Sequence, residues 1–338
     1  MKKTYILAIE TSCDDTSIAV IDTNYQVYSN IISSQSDHQV FGGVFPELAS
    51  RLHLKNINKC LDAALNKANV QLKDISAIAV AINPGLIGSL IVGVSFAKSL
   101  AWSLDIPLIA VNHMLGHVMA NKLEHPNLNP PWLALVVSGG HTELVIFKSL
   151  TDFYIIGQTL DDASGEAFDK IAKLLNLGFP GGPIIDKIAK IGNPNFYKFP
   201  RALNRKDNFS FSFSGLKTSV FTYLQKHKPE YISENLQDIV ASVQQAIVDI
   251  LVSKTIQAAK KYNMNKIIVA GGVSANSCLR TEMKNKCEKH GFESFFPKLQ
   301  YCMDNGAMIG AAAVNKYFNK EFADLRLNAF STKGIKYI

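Results

Sequence analysis

Two apolar runs, each doubling back across a short polar turn, open the two halves of the chain. Tyr5-Ile6-Leu7-Ala8-Ile9 is apolar throughout, as a buried strand should be. After the turn Glu10-Thr11-Ser12-Cys13-Asp14-Asp15, a second strand is predicted over 17–21. The same grammar recurs over 132–137, the turn Ser138-Gly139-Gly140-His141-Thr142, and 143–147. Two hairpins of one design predict an internal duplication, although α/β proteins also carry such hairpins singly.

Between and after the hairpins the apolar spacing becomes helical. Residues 46–67 read as one or two amphipathic helices, 75–82 as a strand, 87–103 as a helix, and 107–111 as a strand feeding a helix that carries His113 and His117. In the second half, helices are predicted over 165–175 and 235–262, a strand over 267–270, and a helix over 274–290 with Ser274 as its N-cap. Such alternation predicts an α/β fold of two lobes with mixed sheets. The expected division is 1–130 as an N-terminal lobe, with C-terminal residues packing back on it, 131–325 as a C-terminal lobe, and 326–338 as a tail. Residues 191–235 are rich in Asn, Phe, Lys and Ser and read as an insertion in the second lobe. No low-complexity linker separates the lobes, so the expectation is a cleft between coupled halves.

Composition narrows the function classes. The chain has 338 residues, 47% of them hydrophobic, enough for two cores. Its 35 basic and 28 acidic residues give a net charge of +7, which fits a nucleic-acid partner without requiring one. The five cysteines form no CxxC pair, which argues against a zinc ribbon and a disulfide framework and for a reducing, cytoplasmic setting. Acids at Glu10, Asp14 and Asp15 end the first apolar stretch, so no signal peptide is expected. Asn83-Pro84-Gly85 interrupts the apolar stretch 75–104, so no membrane span is expected either.

His113 and His117 are four residues apart, on one helix face, and could share a metal ion. Asp304, just before an alanine-rich segment, is the candidate third ligand; paired histidines at this spacing also arise without a metal. Met114 follows His113 where a zincin places its glutamate, so the base for metallopeptidase chemistry is missing. The glycines of the turn at 138–142 suit close approach to a phosphate or carboxylate, although Gly-Gly also makes plain hairpin turns; Ala270-Gly271-Gly272-Val273-Ser274-Ala275-Asn276 suits adenosine or phosphate at a helix N-terminus but matches neither dinucleotide nor P-loop fingerprints. Asp162, Glu166 and Asp169 are predicted to share a helix face, and Asp169 with Asp186 to bracket ribose hydroxyls; each of these acids also fits a solvated surface. Phe211-Ser212-Phe213-Ser214-Gly215-Leu216-Lys217-Thr218 reads as a substrate contact or as an edge strand and turn. Lysines 254, 260, 261, 266, 284, 286 and 289 read as an RNA face or as solvated helix surfaces.

The order of these motifs resembles the tRNA N6-adenosine threonylcarbamoyltransferase family, bacterial TsaD, once described as O-sialoglycoprotein endopeptidase. The resemblance spans nearly the whole chain. It is carried by Ile9-Glu10-Thr11-Ser12-Cys13-Asp14-Asp15-Thr16, Gly42-Gly43-Val44-Phe45-Pro46-Glu47-Leu48-Ala49-Ser50-Arg51, Asn112-His113 with Gly116-His117, and the serine–glycine turn at 138–142. It continues through Asp161-Asp162, Gly165-Glu166-Ala167-Phe168-Asp169-Lys170, Pro180-Gly181-Gly182-Pro183, 212–218, 271–276 and Asp304-Asn305.

The resemblance implies an actin/Hsp70-like ATPase fold, with two duplicated RNase H-like lobes around a nucleotide cleft. It implies transfer of the threonylcarbamoyl group from threonylcarbamoyl-AMP to N6 of the adenosine 3′ of the anticodon, in tRNAs reading codons that start with A. By the same resemblance, His113, His117 and Asp304 hold one divalent metal, iron(II) or else zinc(II). Val136, Val137, Ser138, Gly139, Gly140, Asp169, Gly182, Asp186 and Asn276 hold threonylcarbamoyl-AMP, or ATP or AMP, and Asp14 matches an acid important for activity. The implied partners are tRNA, a TsaB-like paralogue bound through the first lobe's helices, and a TsaE-like ATPase, with no membrane. The chain departs from the family pattern at Leu115 and Ser210, where acids are frequent, at Leu52, where an acid or polar residue is usual, at Asp15, where Glu is common, and at Met303, where Thr is common. Two other readings fit parts of the chain: a metallopeptidase, opposed by Met114, and a non-catalytic ATP-binding scaffold, which has no use for a His-His-Asp site.

Overall fold

The computed structural model describes residues 3–35, 38, 43–203 and 207–331. Gly42 of the glycine–proline motif, residues 204–206 of the expected insertion and 332–338 of the expected tail lie outside the described residues. The chain forms two compact units, one of Met1–Leu128 with Pro297–Ile338, the other of Asn129–Phe296.

In the first unit, β1 (Tyr5–Glu10), β2 (Asp15–Asp22) and β3 (Val27–Ser34) form an antiparallel meander. Helix α1 (Pro46–Ala68) is one continuous helix, started by a proline at its first turn, where the missing N–H costs nothing. Then follow β4 (Ile75–Asn83), α2 (Ile87–Leu104), β5 (Leu108–Asn112) and α3 (His113–Met119). The sheet order is β3-β2-β1-β4-β5, with β4 and β5 parallel to β1. The unbroken apolar runs of β1 and β4 are explained by cover on both faces. Leu7, Ile9, Ile78 and Val80 pack under α1 and α2 through Ile57, Leu61, Val94 and Ala97.

The second unit repeats the plan. Strands β6 (Trp132–Val137), β7 (Thr142–Phe147) and β8 (Phe153–Gln158) form the meander. Helices α4 (Ser164–Leu174), α5 (Gly181–Ala189), α6 (Ser214–Lys226), α7 (Pro229–Glu234) and α8 (Leu236–Lys261) follow. Strand β9 (Lys266–Ala270), α9 (Ser277–His290) and β10 (Glu293–Phe295) complete it. The order β10-β9-β6-β7-β8, read from its other edge, places the strands as in the first sheet. The duplication predicted from the hairpins is therefore present in the topology. Helix α8 is long and apolar enough to cross a membrane, yet 83% of its apolar window is buried, so it serves as a core helix. Helix α2 passes the same test with 39% buried.

The last helix, α10 (Gly306–Phe318), returns to the first unit and packs on β1, β2, β5 and α3. This corrects the expected division, which left 297–325 with the second lobe. The physical cause is local: the Gly-Ala-rich face of α10 fits the open side of the first sheet. A Cβ at Gly306 would lie 2.7 Å from Ala19 N and 2.9 Å from Ala8 O, and one at Gly310 would lie 2.8 Å from Ile21 Cδ1.

Three local expectations are also corrected. The helix predicted from Ser274 begins at Ser277, after a 3-10 turn over Gly272–Ala275, and its N-cap is Asn276, which accepts the Leu279 N–H at 2.9 Å. Asp162 precedes α4 rather than lying on it with Glu166 and Asp169, although Lys170 contacts both Asp162 and Glu166, at 2.6 and 2.8 Å. The 211–218 motif is a single bridge from Phe211 to Thr159 followed by the start of α6, not an edge strand.

Candidate metal centre and glycine-lined cradle

The histidine pair is set by one cap. Asn112 ends β5, and its Oδ1 accepts the Leu115 N–H at 3.0 Å, so the helix starts at His113 and His117 lies one turn on. The two rings are edge-to-face, with centroids 4.7 Å apart. Asp304 stands two residues before α10, whose packing on the sheet carries the carboxylate to the pair. Its Oδ1 is 3.2 Å from His117 Nε2 and 3.5 Å from His113 Nε2. Ligands each about 2.1 Å from one ion are roughly 3.0–3.4 Å apart. Candidate ligand atoms from the three residues all lie within 4.8 Å of one another, compact enough for a single cation.

The surroundings also fit a cation. Both ring nitrogens of His117 are buried without a hydrogen bond among the described residues, the state expected of a ligand rather than of a packed histidine. The donor set of two imidazoles and a carboxylate suits iron(II) or zinc(II). Negative charge is in excess: Glu10 and Asp304 act on His113, and Asp304, Asp14 and Glu10 act on Asp15. Burial pushes Asp15 up to about 7, opposed by its Ser34 contact and reinforced by Asp304, Asp14 and Glu10. Burial alone would lower His113, but Glu10 and Asp304 outweigh it and raise it to about 9. Cys13, on the same turn, is pushed up by burial and then by Asp14 and Asp304, so it stays a thiol. Leu115 is 6% exposed and packs as an ordinary core side chain.

Three residues around this centre escaped the sequence reading. Glu10 and Ser12 both reach His113 Nδ1, at 3.0 Å from Oε2 and Oγ respectively. His53 of α1 bonds Thr16 Oγ1 at 2.7 Å and Cys13 O at 2.9 Å, tying the helix to the β1–β2 turn. The sole signal was that Glu10 and Ser12 share a motif with Asp14. Asp14 itself sits half-buried on that turn, and its backbone carbonyl accepts the Gln35 N–H at 3.2 Å.

In the second unit, the residues expected around a nucleotide form a closed circuit of contacts. The Ser138 N–H donates to His141 O at 2.8 Å, and Ser138 Oγ accepts the His141 N–H at 3.1 Å, closing the turn after β6. Gly165 of α4 lies beneath it: its N–H donates to Ser138 O at 3.1 Å, and a Cβ there would be 2.6 Å from that oxygen. Asp169 Oδ1 accepts the Gly181 N–H at 2.7 Å, joining α4 to α5. Burial raises Asp169, and the amides of Gly181 and Gly182 offset part of this. Asp186 Oδ1 accepts Ser277 N–H at 3.1 Å and Ser277 Oγ–H at 2.8 Å, joining α5 to α9. Asn276 caps α9 and donates through Nδ2 to Gln244 Oε1 at 2.8 Å. Gly271, at φ +89°, presses against the carbonyl of Val137, and this closes the circuit onto β6. Val136 and Val137 are fully buried strand residues, so their side chains are core.

Asp169, Asp186 and Asn276 therefore have structural bonds that sequence reading did not foresee. By contrast, a Cβ at Gly139 or Gly140 would meet nothing within 4 Å. No crowding inside the protein demands glycine there, and open backbone at a turn lets a ligand approach closely. Of the remaining acids, Asp161 accepts from Ser212 Oγ, Phe213 N and Ser214 N at 2.5, 2.8 and 3.3 Å, holding the start of α6, and Asp162 pairs with Lys170 at 2.6 Å. The expected lysine face loses Lys254, which is buried and donates to the carbonyls of Leu203 and Asn208 at 2.8 and 2.5 Å.

Comparison with known proteins shows the family and the fold. A family profile described as TsaD, tRNA N6-adenosine threonylcarbamoyltransferase, matches residues 26–311. A tRNA N6-adenosine threonylcarbamoyltransferase of Clostridium botulinum strain 657 is 50% identical over 325 residues, 96% of each chain. The Clostridium beijerinckii protein of that name is 49% identical over 330 residues, 97% of each chain. Among solved structures, HypF of T. kodakarensis shares the fold with a TM-score of 0.62 at 15% identity, covering 95% of this chain and 48% of its own. Component A of the Acidaminococcus fermentans (R)-2-hydroxyglutaryl-CoA dehydratase does so with a TM-score of 0.55 at 15% identity, covering 94% and 99%.

Proposed function

The chain belongs to the tRNA N6-adenosine threonylcarbamoyltransferase family and is a tRNA-modifying transferase; we propose that His113, His117 and Asp304 hold its metal and that the turn at 138–140 holds its adenylate. The observation that carries the metal assignment is the convergence of two buried imidazole nitrogens on one carboxylate oxygen, at 3.2 and 3.5 Å. The substrate in this reading is threonylcarbamoyl-AMP, and the acceptor is N6 of the adenosine 3′ of the anticodon in tRNAs that read codons starting with A.

The reaction is acyl transfer. N6 attacks the carbamoyl carbon, the C–O bond to the AMP phosphate breaks, and N6 loses one proton. A bound iron(II) or zinc(II) ion would supply a Lewis acid for the substrate's oxygens. The chain's own part is to hold and orient. Gly139 and Gly140, uncrowded where a side chain would stand, let the leaving adenylate approach the backbone of the turn, where charge accumulates as the bond breaks. Asp169, Gly182, Asp186 and Asn276 keep the starts of α5 and α9 in register beside that turn. Asp14, on the same turn as Glu10 and Ser12, is the group proposed to accept or orient the N6 proton.

The partner reading rests on α1 and α2. Leu54, Ile91 and Trp102 are 64%, 50% and 74% exposed, on two helices that pack against each other. That apolar face is proposed to receive a TsaB-like paralogue, with a TsaE-like ATPase joining the pair in the cytoplasm. The lysines of α8 and α9 that remain exposed, Lys260, Lys261, Lys284, Lys286 and Lys289, are proposed to meet tRNA phosphates.

The test is transfer of labelled threonine from preformed threonylcarbamoyl-AMP to unmodified tRNA, with partners present and His113→Ala in parallel. Transfer by the wild type alone is expected. Equal transfer by the variant would remove the metal assignment.

A further inference from the structure

Glu10 is completely buried, ends β1, and carries a carboxylate whose two oxygens face two different donors. Oε1 accepts the Ser12 backbone N–H at 2.5 Å, and Oε2 lies 3.0 Å from His113 Nδ1. A backbone N–H is a donor under all conditions, so Oε1 is committed. Oε2, as a carboxylate oxygen, can only accept, so it requires a proton on Nδ1. An imidazole protonated at Nδ1 and neutral overall presents its lone pair at Nε2, the nitrogen that faces Asp304 at 3.5 Å.

We propose that Glu10 is the positioning residue of the metal centre, fixing the His113 tautomer so that Nε2 is the ligating atom. The inference rests on the assignment of His113, His117 and Asp304 as metal ligands. Carboxylates in this relation to a ligating histidine orient the ring and raise its basicity. His117 has no such partner among the described residues, since neither of its ring nitrogens is hydrogen-bonded. The two ligands are thus inequivalent, one anchored through hydrogen bonds from behind and one held by packing.

The arrangement makes Glu10→Gln a sharper probe than removal of the side chain. An amide has one acceptor oxygen and one donor nitrogen. Its oxygen must answer the Ser12 N–H, so its NH2 group is turned toward His113 Nδ1. That donor demands a bare Nδ1, places the proton on Nε2, and blocks ligation, although size and shape hardly change. Ser12 Oγ, also 3.0 Å from Nδ1, is a hydroxyl that can donate or accept and imposes no tautomer.

The experiment is competition titration of the purified full chain with Zn(II) and Co(II), together with the visible Co(II) spectrum, for wild type, Glu10→Gln, Glu10→Asp, Ser12→Ala and His113→Ala. Glu10→Gln is expected to bind about 10- to 100-fold more weakly than wild type, with an altered Co(II) spectrum and an unchanged melting curve. Ser12→Ala should lose less than Glu10→Gln, and Glu10→Asp, which keeps an acceptor-only group, should recover part of the affinity. Wild-type affinity and spectrum in Glu10→Gln would overturn the proposal, as would a larger loss in Ser12→Ala. Should Glu10→Gln fail to fold, the comparison of Glu10→Asp with Ser12→Ala decides in the same way. Failure of the wild type to bind more tightly than His113→Ala would instead overturn the ligand assignment itself.

Discussion

Asp304 Oδ1 lies 3.2 Å from His117 Nε2, within ion-pair range, yet that nitrogen makes no hydrogen bond among the described residues. That separation matches two ligand atoms of one cation, the arrangement proposed above. His117→Ala should therefore cost at least about 100-fold in metal affinity, judged by metal retained through gel filtration, while secondary structure stays intact. Full retention would show that the pair meets for packing alone.

Gly306 tests whether the third ligand is placed by the fold rather than by its own loop. A Cβ at this position meets Ala19 N at 2.7 Å and Ala8 O at 2.9 Å, both backbone atoms that cannot rotate away. Gly306→Ala should destabilise the chain by about 1–3 kcal/mol in urea titration. It should also weaken metal binding although no ligand is removed, because α10 and Asp304 move together.

The glycines of the second unit divide into two kinds. Gly165→Ala places a Cβ 2.6 Å from Ser138 O and should lower stability by about 1–3 kcal/mol. Gly139→Ala meets nothing within 4 Å and should leave stability within about 0.5 kcal/mol. Isothermal titration with AMP is expected to show weakened binding in both, since the second methyl group occupies the space the adenylate would use.

Asp161 gives a pH dependence of defined sign. Burial would raise its carboxyl, but bonds from Ser212, Phe213 and Ser214 outweigh this and hold it below the usual carboxylate range. A folded-state pKa below the unfolded value contributes stability above the unfolded pKa, and that stability is lost as pH falls through the folded value. Asp161→Asn should therefore be less stable by about 1 kcal/mol at neutral pH, a cap-like loss. The difference from wild type should vanish in acid below the carboxylate range, as followed by urea unfolding at both pH values.

Ile91, half exposed on α2, tests the partner face. Ile91→Asp should melt within about 0.5 kcal/mol of wild type, because the side chain is not core. It should abolish co-elution with a TsaB-like paralogue. Unchanged co-elution would place the partner elsewhere.

Much of this protein was legible along the chain. The runs of β1, β4 and β6 are apolar because both faces are covered, and period and polarity announced them with their turns. The missed strands, β3, β8 and β10, lie at sheet edges, where exposure mixes polar residues into the pattern and weakens it. Sequence spacing paired His113 with His117, because helix geometry alone puts i and i+4 on one face. It also named Asp304, through motif order rather than distance.

The sequence by itself determined most of the elements, the duplicated hairpins and the pairing of His113 with His117, since these follow from local periodicity and residue chemistry. Only the tertiary structure decided that α10 crosses back to the first sheet, because that depends on whether two small-residue surfaces fit. It alone showed that Glu10 and Ser12 stand behind His113, and that Asp169, Asp186 and Asn276 bond helix starts. A hydrogen-bond partner far along the chain is selected by packing, and no periodicity records it.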